Sequence, residues 1–239
     1  MSTSITRPST DRNLYPDDDG NPMAENTLQF KWIVLVKEGL ETVFRDDPNV
    51  FVAGDLLWYA QEGNPKIRTA PDAMVVFGRP KGYRGSYMQW EEGGIPPHVV
   101  FEILSPGNRG SEMARKFRFY DDLGVEEYYI YDPEDGSLSG WRREGVGRLE
   151  EIADMQGYVS PRLGVRFEPG EGSDNLKIYE PDGTPFKTFQ EVRDDADAAN
   201  ERADAANHRA DAERQRADAE RQRAERLAAR LRELGESLD

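Results

Sequence analysis

From Val99 to Leu104 the chain reads VVFEIL, an apolar run broken at Glu102. Strand alternation puts Val100, Glu102 and Leu104 on one face and Val99, Phe101 and Ile103 on the other. A carboxylate inside such a run is costly to bury unless it is paired or binds a metal. The turn Ser105-Pro106-Gly107-Asn108 follows, and the pattern then predicts a helix over 111–123, with Ser111 as N-cap and Gly124 as the stop. Met113, Phe117 and Tyr120 form its apolar stripe; Lys116 edges that stripe, while Arg115 and Arg118 point away. A strand carboxylate is thus followed by a helical lysine that leans toward the same core.

Upstream, an earlier helix is predicted from Pro22 to Phe44, with Trp32, Ile33, Val36, Leu40, Val43 and Phe44 as its buried stripe. Extending that stripe backward lands on Gln29 and Glu25. Two readings stand for this polar end: it frays into solvent with Glu25 favourable near the helix dipole, or it faces a site. Val50–Tyr59 reads as a strand with an irregularity near Gly54-Asp55. TAPDAMVVFG reads as a second, opening on Asp72, which shares a face with Met74 and Val76. Residues 78–97 form a long loop bearing Tyr83, Tyr87 and Trp90. Glu127–Tyr131 is a further strand. Four short apolar runs between 136 and 179 (138–142, 149–152, 165–167 and 177–179) are expected to extend the sheet.

Beyond Asp194 the pattern changes. RADAANH, RADAERQ, RADAERQ and RAERLAA repeat every seven residues, keeping Arg202, Arg209, Arg216, Arg223 and Arg230 in register. Ala, Arg and Glu favour helix. Glu213 and Glu220 interrupt the apolar seam, and Leu227, Leu231, Leu234 and Leu238 give it weight only at its end. The stretch is either a solvated helix laced with ion pairs or a coiled coil, with the leucine end favouring a homo-oligomer. The expected organisation is therefore a disordered arm over 1–21, one domain over 22–190, and a charged helical tail over 191–239.

Composition narrows the chemistry. With no cysteine and two histidines, thiol catalysis, disulfides and histidine-rich or cysteine-ligated metal sites are excluded. No apolar run approaches membrane-spanning length and no signal-peptide core opens the chain, so a cytoplasmic protein with no membrane partner is expected. The net charge is −15; from Glu191 onward ten Arg face fourteen Asp and Glu, a balance of −4, which leaves −11 upstream. General attraction to nucleic acid is disfavoured, and DNA contact requires a local basic patch. Candidates are Arg79, Lys81 and Arg84 in one loop, with Arg109 and Arg115 in another.

In order, the first 133 residues read helix, strand, strand, strand, helix, strand, an α/β (α+β) arrangement. Asp72 and Glu102 converging at one end of a sheet make an oxygen-rich site suited to Mg²⁺ or Mn²⁺. Lys116 beside them would orient water or stabilise phosphate charge. The order and these residues resemble the restriction-endonuclease-like PD-(D/E)XK nuclease superfamily. More narrowly, Pro71-Asp72, VVFEILSP, RKFRFY and GVEEYYIYDP resemble the Uma-type putative endonuclease family of bacteria, over roughly residues 23–180. The resemblance implies a restriction-endonuclease-like core with added strands and a long C-terminal helix, acting as a metal-dependent endonuclease on DNA. Carried over, Asp72 and Glu102 would be metal ligands, helped by the Ile103 carbonyl, with Glu25 as an additional acid from the first helix. Leu104 stands where the superfamily lysine belongs, and Lys116 is its replacement from the helix. Gln29 stands where the resemblance leads one to expect His. The alternative is a catalytically inactive binding or assembly module organised by the tail; the acidic surface and Gln29 favour it, and the acid pair with Lys116 opposes it.

Overall fold

The computed structural model describes residues 14–17, 20, 24–108, 110–170, 172, 175–233 and 235. Two units divide between Phe186 and Lys187. In the first, helix α1 spans Thr27–Val43 and buries Gln29, Trp32, Ile33, Val36 and Leu40. It begins later than Pro22, the expected first-turn residue, because Asn26 caps it: the Asn26 side chain accepts from the Gln29 N–H at 2.8 Å. Glu25 therefore precedes the helix instead of belonging to its first turn. Gln29 is buried, so this end does not fray. Pro22 lies outside the described residues.

The central sheet holds β1 (Val50–Gly54), β4 (Ala73–Phe77), β6 (Val99–Ile103), β7 (Glu127–Tyr131), β8 (Leu138–Arg143) and β9 (Leu149–Glu151), in the order β1-β4-β6-β7-β8-β9. Within this sheet β6 and β7 pair in parallel, and α2 (Gly110–Asp122) makes the crossover between them. Alternation sorts the side chains onto two faces. Val50, Val52, Ala73, Val75, Val99, Phe101 and Ile103 pack with α1, whereas Phe51, Ala53, Met74, Val76, Val100 and Tyr128 pack with Tyr120 and Phe117 of α2. The sheet is thus sandwiched between the two helices, the mixed α/β fold expected of the sequence.

Three departures matter. The strand expected over 50–59 breaks at Asp55, whose φ of +46° turns the chain. Trp58–Tyr59 (β2) then joins Arg68–Thr69 (β3) and Tyr87–Met88 (β5, inside the long loop) in a separate three-stranded sheet. Second, β8 and β9 extend the main sheet, but Arg166–Glu168 (β10) and Lys177–Tyr179 (β11) form their own ribbon, whose Phe167 and Ile178 close the core on the α1 side. Third, within the stretch expected as an unstructured arm, Tyr15 is buried among Leu57, Tyr59 and Met88. Tyr59 donates to the Pro16 carbonyl at 2.7 Å. The aromatic ring gains burial that the polar composition around it conceals. In the second unit, a single helix, α3, spans Phe189–Glu233.

Candidate active site

Strands β4 and β6 pair antiparallel with Ala73 opposite Phe101 and Met74 opposite Val100. That register brings Asp72, just before β4, alongside the end of β6, on the sheet face that carries Glu102. The contact is direct: the Ile103 N–H donates to Asp72 Oδ2 at 2.6 Å. Glu102 lies inside β6 at 2% exposure, with both oxygens engaged by α2. Lys116 Nζ donates to Oε2 at 2.7 Å, and the Tyr120 hydroxyl donates to Oε1 at 2.5 Å. Lys116 and Tyr120 are four apart, so one helical face delivers both donors to one carboxylate.

A cleft of about 370 Å³ opens above this group, walled by Ala24, Glu25, Gln29, Asp55, Leu57, Arg68, Thr69, Ala70, Asp72, Asn108, Glu112, Arg115 and Lys116. Glu102 sits behind Lys116 and does not itself line it. Glu25 Oε2 accepts from the Ser105 hydroxyl at 2.5 Å, and Ser105 N–H donates to Asn108 Oδ1 at 2.6 Å, so the turn after β6 closes on Glu25. Gln29 bridges the two parts. Its Oε1 accepts from the Glu25 N–H at 2.8 Å, and its Nε2 donates to the Ile103 carbonyl at 2.9 Å.

The electrostatics follow from crowding acids in a poorly solvated place. Burial, then the charge of Glu102, pushes the Asp72 carboxyl well above its ordinary value, against the pull of Lys116 and the Ile103 N–H. Burial also works against the Lys116 ammonium, but Glu102 and Asp72 outweigh it and hold its pKa above that of an ordinary lysine. Lys116 is therefore a fixed cation and a hydrogen-bond donor. Burial and the neighbouring Glu102 raise Tyr120 well above a free phenol, which keeps it a donor too.

All five residues singled out in the sequence (Glu25, Asp72, Glu102, Ile103 and Lys116) thus gather at one end of the sheet. Among the described residues, no group of three or more His, Cys, Asp or Glu side chains is arranged to hold a metal ion. Tyr120 reads in sequence only as a core aromatic, yet its hydroxyl orients Glu102. Asp55, visible beforehand only as an irregularity, lines the cleft, and its charge adds to the rise at Asp72. The basic loop candidates are otherwise occupied. Arg79 and Arg84 each reach Glu92 at 2.6 Å, and Lys81 pairs with Glu41 at 3.1 Å. Arg115 lines the cleft, and Arg109 lies outside the described residues.

Among solved structures, the fold is similar to a putative nuclease belonging to DUF820 from Anabaena variabilis ATCC 29413, with a TM-score of 0.45 and 14% identity over 60% of this chain and 76% of that one. No curated protein matches the sequence. No helix among the described residues is long and apolar enough to cross a membrane. The family model Uma2, described as putative restriction endonuclease, matches residues 26–183, which span α1, the whole central sheet and the cleft residues from Gln29 to Lys116, with Ala24 and Glu25 just before the match. The chain belongs to the Uma2 putative restriction endonuclease family.

Proposed function

We propose that the chain is a divalent-cation-dependent nuclease that hydrolyses DNA phosphodiester bonds in the cleft above Asp72, Glu102 and Lys116. One observation carries this reading: two carboxylates from paired strands meet one lysine at a cleft, leaving a formal excess of one acid in a buried place. Uncompensated buried acid favours a cation. The donor set fits a hard one, since Asp72, Glu102 and the Ile103 carbonyl would offer oxygen alone. Mg²⁺ is commonly held by one or two carboxylates while keeping several waters, so no third acid is required. Bound there, the cation supplies Lewis acidity toward a phosphate oxygen and toward water.

The chain's own residues do the rest. Glu102 holds the Lys116 ammonium at 2.7 Å, and the two remaining N–H donors of that group are available to a phosphate oxygen in the cleft. Tyr120 fixes the Glu102 carboxylate from the other side. Gln29 occupies one lone pair of the Ile103 carbonyl and holds its direction. Glu25, fastened by Ser105, keeps an acid at the mouth of the cleft.

That same Gln29 hydrogen bond favours the second reading, a nuclease-fold binding or assembly module without catalysis, because the amide competes with a cation for the carbonyl. Calorimetric titration of Mg²⁺ or Mn²⁺ into the wild type and Asp72→Asn separates them. The nuclease reading expects about one cation per chain in the wild type and none in the variant. A wild type that binds neither ion contradicts it.

The tail is proposed to make a homo-oligomer. Helix α3 is exposed along nearly all its length, and Leu227 is 58% exposed. Pairing with a second copy would gain about 1.5 kcal/mol or more for each leucine well buried. Light scattering should give an oligomer for the wild type and a monomer for Leu227→Glu/Leu231→Glu; a monomeric wild type at tens of micromolar overturns it.

A further inference from the structure

Beside the carboxylate cleft lies a second cavity of about 370 Å³, and the two share Arg68, Thr69, Arg115 and Lys116 in their walls. Their linings divide by charge. Glu25, Asp55, Asp72 and Glu112 line only the first. The second is lined by Lys66, Ile67, Arg68, Thr69, Arg115, Lys116 and Phe119, four cations and no carboxylate. Lys116 is committed to Glu102, but Lys66, Arg68 and Arg115 make no ion pair among the described residues. Arg68 is nonetheless held still. Its Nη1 donates to the Tyr59 hydroxyl at 3.0 Å, and its guanidinium lies over the Tyr59 ring, 5.7 Å from the centroid. Tyr59 is itself fully buried.

Such a concentration of cations is costly to maintain without a counter-charge, and it stands in a chain of net charge −15. The obvious loop arginines are neutralised by Glu92, whereas these face open space that continues into the acidic cleft. The trough is therefore split, acid at one end and base at the other. Such a division suits a cation at one end and a polyanion at the other.

We propose that the second cavity cradles the phosphodiester backbone of the nucleic-acid strand next to the phosphate being cut, with Arg68 and Arg115 as positioning residues and Lys66 as an outer contact. The inference rests on the nuclease reading of the adjoining cleft. Guanidinium groups meet phosphate oxygens in a two-pronged geometry. The lining holds no Asn, Gln, Asp or Glu side chain to read adenine or cytosine edges. A grip by guanidinium groups on phosphate oxygens is indifferent to sequence and sensitive to salt.

The test uses the full-length chain in an Asp72→Asn background, which keeps the DNA intact. Fluorescence anisotropy follows two labelled DNA oligonucleotides of equal length and different sequence across a salt series. Arg68→Gln and Arg115→Gln are each expected to weaken binding severalfold, equally for both sequences. Each should also reduce the steepness of the log affinity against log salt plot by about one. Arg118→Gln, on the exposed side of the same helix, serves as the control and should change neither. Arg115 is exposed, so its variant reports on the groove even if Arg68→Gln folds poorly. Groove variants that bind with the affinity and salt slope of the control overturn the proposal, as does a parent that binds no DNA. The nuclease reading fails separately: arginine-dependent DNA binding by a wild type that takes up no Mg²⁺ or Mn²⁺ leaves the groove standing and removes the nuclease.

Discussion

Glu102 and Glu127 sit on neighbouring parallel strands, both almost sealed from solvent, at 2% and 1% exposure, and each accepts from a tyrosine hydroxyl. Their surroundings differ in kind. Val99 pairs with Glu127 and Glu102 with Ile130, which puts Glu102 near the carboxyl end of β6 and Glu127 at the start of β7. They also face opposite sides of the sheet, Glu102 toward α2 and Glu127 toward α1 with Phe101 and Tyr129. Glu102 holds a lysine that reaches an open cleft. Glu127 takes only neutral donors: the Tyr129 hydroxyl at 2.9 Å, the Ser160 hydroxyl, and the Arg162 N–H at 2.9 Å. Ser160 in turn accepts from the Leu163 N–H, so Glu127 fastens the 160–163 loop to the sheet. Burial alone does not mark a carboxylate as functional. What sets Glu102 apart is a cationic partner and a route to solvent at the carboxyl end of a strand, and the proposed site rests on these.

The sharpest way to break this contrast is kinetic. Lys116→Met should lower DNA cleavage by about 10²-fold or more, the scale of losing one preorganised donor, with an unchanged circular dichroism spectrum. Glu127→Gln should leave cleavage within about twofold, since it touches nothing in the cleft. Equal losses in both would end the distinction. Next comes stability. Glu127→Leu strands the Ser160, Tyr129 and Arg162 donors, at about 1–3 kcal/mol for each left unsatisfied, so urea denaturation should show a loss of several kcal/mol. Cation binding by the folded protein should persist.

A smaller effect is pH-dependent. Burial raises the Glu127 carboxyl above its ordinary value, more than its three donors lower it. The folded state then holds this proton more tightly than the unfolded chain does. The stability it contributes is complete below the ordinary glutamate range and is lost as pH rises through the folded value. In Glu127→Gln that loss is absent, and Ser160 and Tyr129 hydroxyls can reverse to accept from the amide. The variant should therefore gain on the wild type as pH rises above the ordinary glutamate range. A stability difference that stays constant as pH rises above the ordinary glutamate range refutes the assignment. Smallest is Gly107→Ala: a Cβ there would overlap the Glu25 carboxylate, so the acid must move. Cleavage should fall a few-fold while stability changes by less than about 1 kcal/mol; unaltered cleavage removes Glu25 from the site.

Much of the site was legible because periodicity reaches it. Alternation grouped Asp72 with Met74 and Val76, and Glu102 with Val100 and Leu104, and the β4–β6 register brings the two sets to one face; helical spacing placed Lys116 beside Tyr120 and Phe117. The buried stripe of α1 was readable for the same reason, but its start was not, since Pro22 also suits a first helical turn and it is the Asn26 side chain that caps the helix. Glu127 was missed because paired acids at the start of a strand look like a solvated edge. Two of its three partners, Ser160 and Arg162, come from a loop some thirty residues on. Arg68 escaped notice on a two-residue strand too short for any period. The loop arginines misled in the other direction: Glu92 meets Arg79 and Arg84 across 13 and 8 residues, spacings that no helix or strand announces.

Cleavage of plasmid DNA by the full-length protein, with Mg²⁺ or Mn²⁺ and then with excess EDTA, tests the central claim most directly when run beside Asp72→Asn. The account predicts cleavage by the wild type that requires the cation, and about 10²-fold or greater loss in Asp72→Asn at unchanged fold. Cleavage that survives EDTA, a variant as active as the wild type, or no cleavage with either cation would contradict it.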